Sequence, residues 1–296
     1  MSSPAADTVP ATIRLTRLRE LWVHTGTSCN LSCPFCHEGS KPGDARIAAP
    51  TLAQLAPVFE QAAALGAERF AFTGGEPLIL KGILDILLHA LGLRPALVLT
   101  NGTAPFIRRA HQLALLREAP HPLSFRVSID YPDEARHDAA RGLKNFRKAI
   151  EGLRQLHAAG FAVGITRQVV AGEDAAQVEA QFRLLLRRQR LPEDLPVVAL
   201  PDLGALGAME WAPPPALAAA AAPALQPLCA TSRMVLAGAS GLRFHACPLT
   251  DDAPRFDTGD NLQQALLAGV TPDHPRCTRC LTQGVPYGGG ALLPAA

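Results

Sequence analysis

The sequence predicts an α/β fold: a partial barrel of six strand–helix units, followed by a small cysteine-rich α+β unit. Three observations carry this. From Leu21 to Leu200 short β-branched or apolar runs alternate with longer stretches of helical spacing. Strands buried on both faces and separated by helices imply a parallel sheet with right-handed crossovers. After Leu200 the composition changes, and four of the seven cysteines fall in the last part of the chain.

The expected strands are Leu21–Thr25, Phe70–Thr73, Leu97–Asn101, Phe125–Ile129, Phe161–Thr166 and Pro196–Leu200. Thr51 and Gln54 have the spacing of a capping box that opens the first helix. Leu143, Phe146, Ile150 and Leu153 recur at helical intervals, as do Val178, Phe182, Leu185 and Leu186. Six units are too few to close an eight-fold barrel, so an open one is expected, with function at the C-terminal ends of its strands. The division read from the chain is an extension over 1–20, a barrel over 21–205, a Pro/Ala-rich linker over 206–226 and a cysteine-rich unit over 227–296.

Composition narrows the function. With 48% hydrophobic and 18% charged residues the chain has enough apolar surface for a large core, which excludes global disorder. A net charge of +2, only 5% aromatic residues and no basic run argue against nucleic acid and anionic membrane as partners. Met1 to Pro10 lacks the apolar segment of a secretory signal, and no apolar run is long enough to span a bilayer. The expected compartment is the cytoplasm, where seven cysteines read as metal ligands or catalysts rather than disulfides.

Those cysteines form two groups. Cys29, Cys33 and Cys36 crowd three thiols onto one loop directly after the first strand. A 4Fe–4S cluster held by three thiolates keeps one iron open to a further ligand, although zinc also takes thiolates. Four motifs follow at later strand ends: Gly74-Gly75-Glu76-Pro77, Thr100-Asn101-Gly102-Thr103, Ser128-Ile129-Asp130, and Arg141 on the next helix.

In order and placement, the CxxxCxxC spacing and these motifs resemble the radical S-adenosylmethionine (SAM) superfamily over about residues 21–200. The resemblance implies that Cys29, Cys33 and Cys36 hold a 4Fe–4S cluster. One electron from that cluster breaks the sulfonium of SAM to methionine and a 5′-deoxyadenosyl radical. It further implies that Phe35 lies against the adenine, and that Gly74, Gly75, Glu76 and Pro77 meet the amino group. Asn101 lines the same site and Ser128 meets the ribose. Arg141 pairs with the carboxylate, a task that suits a planar guanidinium.

In the second group, Cys229, Cys247, Cys277 and Cys280 can supply four thiolates to one site, which fits a closed zinc or a fully ligated cluster. This half resembles the twitch domain, the shortened SPASM domain of many radical SAM enzymes, with Gly241 near its turn glycine. That implies an auxiliary 4Fe–4S cluster. Where the full SPASM pattern continues with two more cysteines, this chain has Pro286 and Gly290, so a further auxiliary cluster lacks its ligands.

The late cysteine layout is similar to that of the aminocyclitol dehydrogenases of this group, which oxidise an alcohol to a ketone. A small polar substrate and a reducing partner such as flavodoxin or ferredoxin are implied. Peptide- or protein-modifying maturases use related domains, and the few residues before Cys29 argue against a leader-guided peptide substrate. A scaffold that binds SAM without turnover is the non-enzymatic alternative. The expected catalytic carboxylates are Asp130, at a barrel strand end, and Asp202, just past the sixth strand; Glu210 and His245 are weaker candidates.

Overall fold

The computed structural model describes residues 12–205, 226–250 and 252–287. All six expected strands form: β1 (Glu20–His24), β2 (Arg69–Thr73), β3 (Ala96–Thr100), β4 (Leu123–Ser128), β5 (Ala162–Gln168) and β6 (Val197–Leu200). They pair in parallel and in sequence order. Helices α1 (Leu52–Ala64), α2 (Ile83–Leu91), α3 (Ala104–Ala114), α4 (Glu134–Arg141), α5 (Asn145–Ala158) and α6 (Ala175–Arg188) link them.

Strand periodicity sorts side chains to two faces. Leu21, Val23, Phe70, Phe72, Ala96 and Val98 join one core with the helices. Trp22, Ala71 and Leu97, the residues between them, belong to a second core on the sheet's other face. Phe59 of α1 shows how the first core closes: its ring lies 4.6 Å from that of Phe70 and 6.1 Å from that of Phe72. Burying each such aromatic contributes about 1.5–3 kcal/mol. At the start of α1, Thr51 and Gln54 make the expected reciprocal caps at 2.9 and 3.3 Å.

Two expectations need amending. Leu143 lies outside α5 and is 84% exposed. Asp138 accepts from the main-chain N–H groups of Lys144 and Phe146, and Lys144 sits at φ 64°, so the chain reverses before α5 begins. Second, the C-terminal unit extends the same sheet. Strand β7 (Ser232–Gly238) pairs in parallel with β1, and β8 (Gly241–His245) and β9 (Asp257–Gly259) continue antiparallel. The nine strands therefore run β6-β5-β4-β3-β2-β1-β7-β8-β9. Helices α7 (Leu262–Leu267) and α8 (Pro275–Gln283) complete the described chain. All but the last residue of the Pro/Ala-rich stretch lies outside the described residues, as does Glu210.

Candidate active site

The first cysteine loop leaves β1 at His24 and is locked to the end of β2. Gly75 N–H donates to Gly26 O at 2.9 Å, and Glu76 N–H donates to Ser28 O at 3.0 Å. This approach explains the glycine pair. A Cβ on Gly75 would stand 2.1 Å from Ser28 O, and one on Gly74 (φ 130°) 2.7 Å from Gly26 O.

The third strand end braces the loop from the other side. Asn101 Nδ2 donates to Asn30 Oδ1 at 2.9 Å and approaches Cys29 Sγ at 3.9 Å, while Asn30 Nδ2 donates to Thr103 Oγ1 at 2.9 Å. Glu76 is 1% exposed. Its carboxylate accepts from Thr100 Oγ1 at 2.7 Å, Asn101 N–H at 2.8 Å and Leu78 N–H at 3.1 Å. Burial raises the pKa of Glu76 and these donors oppose the rise. Glu76 and the buried Pro77 therefore stand behind the cavity and hold its wall, whereas Gly74 and Gly75 line it.

The cavity lies at the C-terminal ends of the strands and encloses about 970 Å³, including its mouth. Cys29, Cys33, Cys36, Phe35, Asn101, Ser128, Asp130 and Arg141 all line it. The three thiols are half-buried, and burial pushes the Cys29 thiol up to about 12 and raises the other two. Leu31 N–H donates to Cys29 Sγ at 3.4 Å, the kind of contact that tunes a thiolate-bound cluster.

Arg141 crosses to Asp130, with Nε at 2.5 Å from one carboxylate oxygen and Nη2 at 3.4 Å from the other, and its guanidinium stands 5.3 Å from the centre of the Phe35 ring. Burial disfavours the Arg141 cation, but Asp130 outweighs it and raises its pKa. Asp130 also accepts from Gln168 N–H at 3.2 Å. Asp130 thus ties Arg141 to the main chain at the end of β5.

Asp202 is exposed and sits in a shallower pocket beside the mouth, with Pro34, Phe35 and Arg279. It accepts from Gln168 Nε2 at 2.6 Å and Gly204 N–H at 2.9 Å, so it reaches the cavity only through Gln168. His245 is buried on β8 and lines neither cysteine pocket; burial lowers its pKa.

All four late cysteines line a second, smaller cavity. They come from three segments: Cys229 ahead of β7, Cys247 after β8, and Cys277 with Cys280 on α8. Burial raises all four thiols, Cys229 to about 12 and Cys277 to about 11, and for Cys229, Cys247 and Cys277 a neighbouring cysteine raises it further. Among the described residues no three His, Cys, Asp or Glu side chains converge as donors to a single metal ion. In a four-iron cluster each thiolate binds its own iron, so the donors stand further apart. The three thiols at the wall of the first cavity fit one such group.

Several site residues carried no motif signal. His24 and Glu38 form a fully buried hydrogen-bonded pair beneath the first cysteine loop. Burial alone would raise the Glu38 carboxyl, but its contact with His24 outweighs this and lowers it. Arg167 lines the cavity at the end of β5 and pairs with Glu173 at 2.6 Å. His37 and Tyr287 line it together, the Tyr287 hydroxyl 3.2 Å from His37 Nε2. The adjacency of His37 and Glu38 to Cys36 was the only available cue.

The fold and the thiol-lined cavity define a site for a ligand held at the strand ends. The model of the radical SAM superfamily matches residues 23–185, and the chain belongs to that superfamily. Membership implies SAM and one 4Fe–4S cluster, which Cys29, Cys33 and Cys36 would hold here.

The probable GTP 3′,8-cyclase of Archaeoglobus fulgidus is 29% identical over 156 residues, covering 51% of this chain and 49% of that protein. The probable GTP 3′,8-cyclase of Methanopyrus kandleri is 30% identical over 86 residues, covering 29% and 27%. The chain thus spans about a quarter to a half of the length of these curated relatives. Streptococcus suis SuiB bound to S-adenosylmethionine has the same fold, with a TM-score of 0.54 at 16% identity over 66% of this chain and 43% of that one. So does anSMEcpe with bound AdoMet, with a TM-score of 0.50 at 17% identity over 62% and 52%. No helix among the described residues is long and apolar enough to cross a membrane.

Proposed function

We propose that this radical SAM enzyme oxidises a secondary alcohol of a polar small molecule to a ketone, as a step of a biosynthetic pathway in the cytoplasm. One observation carries the reading. Cys229, Cys247, Cys277 and Cys280 close around one pocket, and the helix bearing two of them is bonded to the first cysteine loop through Arg276. On this reading the late cysteines hold a second 4Fe–4S cluster, as in a twitch domain, near enough to the cavity to accept an electron.

The bound SAM and first cluster supply a 5′-deoxyadenosyl radical that takes a hydrogen atom. The substrate's C–H and O–H bonds would break as C=O forms, the hydrogen atom passing to that radical, the hydroxyl proton to a base of this chain and the remaining electron to the cluster that Cys229, Cys247, Cys277 and Cys280 would hold. Flavodoxin or ferredoxin is the fitting source of the starting electron. Of the two carboxylates, Asp202 has contact with water and is the better proton outlet, with Gln168 between it and the substrate.

The charge balance supports a neutral polar substrate. Arg141 is matched by Asp130 and Arg167 by Glu173, so both guanidiniums that line the cavity carry a carboxylate of their own. A triphosphate such as that of the cyclase relatives' substrate calls for cations in excess. The test is isotopic: with a substrate deuterated at the carbinol carbon, deuterium should enter 5′-deoxyadenosine, and one SAM should be consumed per ketone formed. A redox-neutral product, or one with a new carbon–carbon or thioether bond, would instead support a bond-forming enzyme or a maturase. Absence of 5′-deoxyadenosine would leave only a SAM-binding scaffold.

A further inference from the structure

Beyond α8 the chain turns at Gly284 (φ 69°) and runs back inside the barrel. Arg126, on β4 and 1% exposed, fixes it there by donating to two consecutive carbonyls, Pro286 O at 2.9 Å and Tyr287 O at 2.7 Å. An arginine buried in a barrel is costly unless its donors are satisfied, so the carbonyls and the cation hold one another in place. Burial lowers Arg126 to about 10, which still leaves it charged near neutral pH.

Tyr287 is 3% exposed, and its ring lies 4.9 Å from that of Trp22. Trp22 stands two residues before the end of β1, deeper in the barrel than the cysteine loop. The Tyr287 ring therefore separates the cavity from the Trp22 layer, and its hydroxyl meets His37 at the wall.

We propose that Tyr287 is a specificity-determining residue: its ring is the floor of the substrate chamber and sets the depth to which a small molecule and water can enter. The Cys loop, Gly74, Gly75, Ser128 and Arg141 form the SAM side of the cavity, and Tyr287 lies with Leu99, Leu200 and Leu203 on the remaining lining. A ring backed by Trp22 and anchored by Arg126 is a rigid boundary, whereas a shorter side chain leaves a void open to the chamber. The proposal rests on this cavity being the SAM chamber and not on the alcohol-oxidation reading.

The test uses the reconstituted full chain with SAM alone, so it is independent of the substrate. Tyr287→Ala should create a void that takes phenol as a probe, because apolar voids of ring size bind aromatic molecules. Phenol should raise the melting temperature of the variant and not that of wild type. Uncoupled 5′-deoxyadenosine formation should rise about fivefold or more as water reaches the chamber, and phenol should reverse the rise. SAM affinity should stay within about twofold, since its contacts lie on the other side. Tyr287→Phe, which keeps the ring, should show neither the void nor the rise. Should Tyr287→Ala fail to hold iron, Tyr287→Leu carries the same test with less lost volume. A rate equal to wild type, with no phenol-dependent stabilisation in the variant that folds, overturns the proposal. So does an equal rise in Tyr287→Phe, which would place the effect in the His37 contact.

Discussion

Arg276 donates through Nη2 to the main-chain carbonyl of His37 at 2.6 Å, a contact that spans 239 positions of sequence. His37 follows Cys36 and Arg276 precedes Cys277, so one guanidinium bonds the two cysteine groups together. The same side chain, 3% exposed, also donates to Leu203 O at 3.0 Å and Leu249 O at 2.9 Å. Three segments far apart in sequence meet on it.

Arg276→Gln should therefore unsettle both cysteine sites. Leaving buried carbonyls without donors costs about 1–3 kcal/mol each, not additively. The expected result is a stability loss of at least about 2 kcal/mol in denaturant unfolding, with iron lost first from the late site. Retention of full iron and wild-type stability would show that the clamp is dispensable.

Anaerobic reconstitution should give about eight irons per chain, two clusters' worth. Cys277→Ala combined with Cys280→Ala should bring this to about four and leave uncoupled SAM cleavage in place. A wild-type protein with about four irons and one zinc, measured by mass spectrometry of bound metals, would remove the second cluster from the account.

Arg141→Ala should weaken SAM binding by about 1.5–3 kcal/mol, the worth of a charge-assisted hydrogen bond. The single variant also strands Asp130, so Asp130→Asn and the double variant belong in the same cycle. Equilibrium binding of SAM then separates a direct contact, lost in both Arg141 variants, from damage caused by an unpaired carboxylate, which the double variant relieves.

Gly75→Ala should be among the most damaging single-methyl changes in the chain. Its Cβ would overlap the carbonyl of Ser28, which is backbone and cannot swing aside. A cost of about 1–3 kcal/mol is expected, with loss of iron from the first loop. Iron content and thermal melting of the purified variant are the readouts.

Asp138 sets a pH dependence. Burial would raise its carboxyl, but main-chain donors from Phe146 and Lys144 outweigh this and lower it below the usual 3.8. A depressed carboxyl contributes stability that is whole above the ordinary aspartate range and is lost as pH falls through the lowered value. Asp138→Asn should flatten the acid limb of the stability profile below about pH 4 and cost about 0.5–2 kcal/mol at neutral pH. An unchanged acid limb would assign the acid sensitivity to other groups.

The strands β1 to β4 could be read from sequence because they are buried on both faces, and the first cysteine group because its spacing is local. Leu143 misled because periodicity alone cannot register the reversal that Lys144 and Asp138 impose. Arg276, Tyr287 and Arg126 could not be read because each acts through main-chain carbonyls or rings brought near by folding. A basic residue next to a cysteine, or a tyrosine near the end of a chain, has no local pattern to mark it. The pairing of Asp130 with Arg141 was hidden for the same reason, although both were legible as site residues.

The parallel pairing of β1 with β7 bears on how the chain is made. As synthesis proceeds, β1 emerges before the other described strands, and its partner on one side, β2, follows within about fifty residues. Its other edge must wait for Ser232–Gly238, some two hundred residues later. Until then a short edge, apolar at Leu21, Trp22 and Val23, offers unpaired N–H and C=O groups to any neighbouring chain. The late hairpin thus covers the free edge of β1, and the nascent protein should be most aggregation-prone in the interval before it arrives.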